Sequence, residues 1–104
     1  MATKGIFRDD CGRLRTVPGT FAPLLADFLE TDVRDNPGRC DQLLADLAEA
    51  RRGKPFEAYG NLYVLAAGPD GAVIENGSDE TVTPLRLSLD ALEQALTTWY
   101  AAMA

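Results

Sequence analysis

The spacing of apolar positions changes three times along this chain, and each change marks a block of structure. Ile6-Phe7-Arg8 and Leu14-Arg15-Thr16-Val17 flank Asp9-Asp10-Cys11-Gly12. Asp and Gly are turn formers, so Gly5–Val17 is predicted as a short hairpin. Phe21, Leu24, Leu25, Phe28 and Leu29 then recur at helical spacing, with Thr20 placed as an N-cap and Pro23 in the first turn. This helix is expected to run to about Val33, where Asp35-Asn36-Pro37-Gly38 breaks the chain. A second helix begins near Pro37 or Arg39, carries the stripe Cys40, Leu43, Leu44 and Leu47, and stops at Arg51-Arg52-Gly53. So short a link predicts that the two helices form an antiparallel pair.

Beyond Lys54-Pro55 the period falls to two. Phe56–Tyr59 reads as a strand or the approach to one, and Asn61–Ala67 is rich in residues suited to a sheet interior. Gly68-Pro69-Asp70-Gly71 is a turn, Ala72–Glu75 pairs back, and Asn76-Gly77 turns again. Ser78–Thr83 reads as an exposed acidic loop, and Leu85-Arg86-Leu87 as the last strand. Ser88 caps a final helix whose apolar face is Leu89, Leu92, Leu96, Trp99, Tyr100 and Met103. The order ββ-αα-βββ-α, with tight turns between strands, predicts one α+β domain over residues 1–104: an antiparallel sheet of about five strands against three helices.

Composition supports this. The 104 residues are 46% apolar and 25% charged, which suits one globular core rather than a disordered chain. No apolar run approaches the length of a membrane span, and the N-terminus leads into no signal-like stretch, so a cytoplasmic protein is expected. Cys11 and Cys40 share no motif and are expected as unpaired thiols.

Charge adds a direction. The net charge is −6, yet residues 1–54 hold nine cations and nine acids. Residues 55–104 hold one cation, Arg86, against Glu57, Asp70, Glu75, Asp79, Glu80, Asp90 and Glu93. The whole excess lies in the C-terminal half, which repels nucleic acid and favours a basic partner.

The candidate chemistry is sparse. The chain has no histidine, the commonest proton shuttle, and no phosphate-binding or calcium-loop motif. Its neighbouring carboxylates fall in turns and helix ends, where nothing raises their pKa for catalysis. No enzymatic activity, cofactor or metal is expected. The candidate partner-binding residues are Asp79, Glu80, Glu75, Asp70 and Glu57, with the aromatic anchors Tyr59 and Tyr63, and more weakly Asp32 and Asp35. Tyr59 and Tyr63 would share a face if one strand ran through Gly60. Asp70 is expected at one end of the second hairpin, with Asp79 and Glu80 at the other.

Four stretches carry a resemblance: Phe28-Leu29-Glu30-x-Asp32-Val33; Gly60-Asn61-x-Tyr63-x-Leu65; Val73-Ile74-Glu75-Asn76; and Leu87-Ser88-Leu89-x-x-Leu92-x-x-x-Leu96-x-x-Trp99. In their order and spacing the chain resembles the small immunity proteins of bacterial contact-dependent growth inhibition systems. The resemblance implies a cytoplasmic antidote that binds the C-terminal toxic domain of a delivered toxin, often a nuclease that cuts tRNA. A monomer in a 1:1 complex is expected over a homo-oligomer. Binding residues differ between such proteins, so none is carried over. The competing expectation is a housekeeping or regulatory protein-binding domain without a toxin partner.

Overall fold

The computed structural model describes residues 5–103. Strands β1 (Ile6–Arg8) and β2 (Leu14–Thr16) form a two-stranded ribbon. Helix α1 (Pro23–Phe28) runs directly into a π-helical turn, Leu29–Val33. Helix α2 (Pro37–Arg51) follows, and then strands β3 (Phe56–Tyr59), β4 (Tyr63–Gly68), β5 (Gly71–Asn76) and β6 (Leu85–Leu87). These four pair in sequence order as an antiparallel meander, and helix α3 (Leu89–Ala102) closes the chain. The α+β class and element order follow the sequence. Phe56–Tyr59 is a full strand, making six in two sheets rather than five in one.

Helices α2 and α3 start where their caps place them. The Asn36 side chain accepts from the Arg39 amide, and the Ser88 hydroxyl from the Ala91 amide. Asp90 and Glu93 sit near the start of α3 and both accept from the Arg51 guanidinium at 2.7 Å. These pairs are exposed and contribute little individually. Helix α1 differs from expectation. Its N-cap is Ala22 rather than Thr20, and no side chain caps it.

The core lies between the helices and one face of the meander. Leu43 and Leu47 of α2, Leu92, Leu96 and Trp99 of α3, and Leu65 and Ile74 of the sheet are all buried. Helix α2 packs chiefly on α3, so the antiparallel pair is α2–α3 rather than α1–α2. Helix α1 and its π turn bury Leu25, Phe28, Leu29 and Val33 in the same core. Tyr100, expected on the apolar face of α3, is exposed. Cys11 and Cys40 are unpaired thiols, Cys11 exposed and Cys40 buried. No helix among the described residues is long and apolar enough to cross a membrane.

A candidate protein-binding face on the sheet

Burial alternates along β4 and β5, which fixes the two faces of the meander. Tyr63, Leu65, Ala67, Ala72 and Ile74 point to the helices and are buried. Val64, Ala66, Val73 and Glu75 point the other way. An antiparallel sheet with one wet face ordinarily carries polar residues outward. Here the middle of the outer face is Val64, Ala66 and Val73, and each is only partly covered. The register orders this face in rows. Tyr59, Val64 and Glu75 form one row across β3, β4 and β5, and Glu57, Ala66, Val73 and Arg86 form the next.

Tyr59 is 69% exposed, the most exposed large apolar side chain among the described residues. Its hydroxyl donates to Glu57 at 3.3 Å. An aromatic ring held beside apolar strand residues and rimmed by acids has the composition of an interface anchor. Three of the sequence candidates, Glu57, Tyr59 and Glu75, thus meet on one surface.

The loop after β5 adjoins this face. The Gly77 amide donates to the Leu62 carbonyl, which places the start of the loop beside the β3–β4 turn. The Asn76 side chain accepts from the amides of Ser78 and Asp79. Asp79 in turn accepts from the Thr81 hydroxyl at 2.6 Å and its amide at 3.0 Å. These bonds hold the Asp79 carboxyl below its ordinary pKa, the hydroxyl contributing most. Asp79 and Glu80 are therefore presented on an organised loop. Asp70 lies in the β4–β5 turn, at the far end of β5's six residues, or about 20 Å away at about 3.3 Å per residue. The hairpin is bracketed as the sequence suggested.

Two candidates have a different role. Tyr63 is 6% exposed and faces the core, because residues 60–62 turn the chain and put Tyr59 and Tyr63 on different strands. Its ring meets Phe28 edge-on at 6.4 Å, and its hydroxyl donates to Asp27. Burial first, and then the Asp27 carboxylate, raise its pKa to about 12. Asp32 is 7% exposed and accepts from the amides of Leu62 at 3.1 Å and Tyr63 at 2.9 Å. A Cβ on Gly60 would overlap the same carboxylate, so the turn is shaped around it. Neither residue reaches a partner surface; both hold the β3–β4 hairpin to the π turn. Asp35 is exposed and bonds Arg8 at 2.7 Å, away from the sheet face.

The π turn reaches both sheets. Glu30, two residues before Asp32, accepts from the Thr16 amide at 3.0 Å and from its hydroxyl, and pairs with Arg15 at 3.1 Å. One five-residue segment thus clamps the ribbon with Glu30 and the meander with Asp32. Local sequence gave no signal for either role, since both partners are distant in the chain. The apolar outer strip did leave a signal: β4 is apolar at consecutive positions, as in strands covered on both faces.

Among the described residues, no group of His, Cys, Asp and Glu could hold a metal ion. Compared with protein-family models, curated proteins and solved structures, the chain matches none.

Proposed function

We propose that the protein is an immunity protein that neutralises a basic toxin nuclease by docking it on the outer face of the four-stranded sheet. The carrying observation is that face itself, where Val64, Ala66 and Val73 form a partly exposed apolar strip on the side turned away from the core. Tyr59 supplies an anchor, while Glu57 and Glu75 beside it, and Asp79 and Glu80 on the adjoining loop, supply the charge. A nuclease holds RNA phosphates with lysines and arginines, and the same cations would meet these carboxylates. Occupying that surface excludes RNA without any chemistry by the antidote. The resemblance to contact-dependent immunity proteins, and a negative excess confined to residues 55–104, support the same reading.

The test is binding kinetics against a cognate toxin domain. Tyr59→Ala should raise the off-rate, as loss of a buried aromatic anchor does. Glu57→Lys with Glu75→Lys should slow association and reduce its salt dependence. The pair Asp79→Lys and Glu80→Lys should act in the same direction. Unchanged rates in all three variants would remove the sheet face from the interface, and a pull-down without a basic toxin would remove the antidote reading.

A further inference from the structure

A second surface gathers arginines that the fold leaves without a carboxylate partner. The ribbon, the π turn and the β3–β4 turn enclose a cleft of about 1050 Å³. Its acids are already engaged. Asp27 accepts from Tyr63, Glu30 from Thr16 and Arg15, Asp32 from two backbone amides, and Asp35 from Arg8. Of its four arginines only Arg15 is paired. Among the described residues, Arg13, Arg34, Arg39 and Arg86 have no carboxylate within ion-pairing distance, and the first three line this one cleft. Arg39 makes one weak bond, to the Tyr59 carbonyl at 3.3 Å. In a chain with six more acids than cations, three unpaired guanidiniums along one cavity require a reason.

Arg34 adds a second observation. Its backbone sits at φ 58°, ψ −148°, a region that glycine occupies freely and other residues do not. A glycine would relieve this conformation, and an arginine is present instead.

We infer that the cleft binds a small phosphate ester carrying two or more negative charges. Each guanidinium offers a planar fork of donors matched to oxyanions. A carboxylate has two oxygens and satisfies one fork, whereas a phosphate group presents three acceptor oxygens that several arginines can share. The volume exceeds that of a lone phosphate and accommodates the group that bears it. The cleft adjoins the docking face at Tyr59, which lines both, but the inference does not rest on docking there.

The experiment is a calorimetric titration of the full chain with pyrophosphate at low ionic strength, with citrate as the polycarboxylate control. Saturable pyrophosphate binding, with citrate clearly weaker, is expected. Arg13→Gln, Arg34→Gln and Arg39→Gln should each weaken it by about tenfold or more, as loss of a charge-assisted bond does. Arg86→Gln, outside the cleft, should leave it unchanged. Arg34→Gly should melt higher than the parent yet bind as poorly as Arg34→Gln, which separates the loss of the side chain from a loss of folding. No saturable pyrophosphate binding, citrate binding as tight, or an Arg86→Gln loss equal to the others would overturn the inference.

Discussion

Asp32 offers the sharpest test of how the fold is held together. Truncation to Ala removes the acceptor of two backbone N–H groups, those of Leu62 and Tyr63. Tyr63 is buried and its amide has no water to turn to, while Leu62 is half-buried. Stranding a buried donor costs about 1–3 kcal/mol, more where the lost partner is charged, so about 3–4 kcal/mol is expected for the pair. The Thr31 hydroxyl also touches Asp32, but it keeps its bond to the Asp27 carbonyl and adds little. For a domain of this size the loss corresponds to a fall in Tm of about 12 °C or more. Thermal and urea unfolding followed by circular dichroism would measure it, with the urea slope unchanged if the same surface unfolds. Amide exchange at Leu62 and Tyr63 should accelerate selectively. Gly60→Ala alone should also destabilise, because its methyl would overlap the Asp32 carboxylate. In the Asp32→Ala background much of that clash is gone, so the two costs should not add. An Asp32→Ala variant within about 0.5 kcal/mol of the parent, the range of ordinary surface changes, would refute the clamp.

Trp99 is fully buried, and its indole N–H donates to the Arg34 carbonyl at 2.7 Å. Trp99→Ala should cost about 3–5 kcal/mol, and an unchanged Tm would show that the helix packs otherwise. Tyr63 and Cys40 make the fold sensitive to base. Burial raises Cys40 to about 11, and burial with Asp27 raises Tyr63 to about 12. Both are neutral when protonated and folding favours that form. Their contribution is therefore fully present below their ordinary values of 9.0 and 10.0, and is lost as pH rises through about 11 to 12. A pH series of urea midpoints should fall across that window, and Tyr63→Phe should flatten the fall; an equal slope in the variant would contradict the assignment. For the same reason Cys11 should alkylate in the native protein while Cys40 reacts only on unfolding, as mass spectrometry would show.

What the sequence determined by itself is local. The stripe of α2, and that of α3 apart from Tyr100, are on the core side because both helices have a cap and a long apolar face. The β4–β5 hairpin follows from Pro69-Asp70-Gly71, and the loop beyond it from Asn76-Gly77. The negative half of the chain is legible directly, and so is the bracketing of the hairpin by Asp70 and by Asp79 with Glu80. Period alone, however, could not separate Tyr59 from Tyr63. Their spacing fits one strand, and the turn at Gly60 exists because the Asp32 carboxylate occupies the space where a side chain would stand. That carboxylate is aimed by a π turn, which replaces the end of the expected first helix. Its two acids find their partners, Thr16 and Leu62–Tyr63, far along the chain in each direction. The arginine cleft is scattered in the same way, with Arg13 on the ribbon turn, Arg34 after the π turn and Arg39 in α2. Residues so far apart carry no periodic signal, because helix and strand patterns report only which neighbours share a face. Which carboxylates are spent inside the fold, and which charges are left to meet a partner, was decided only when the hairpins closed on the π turn.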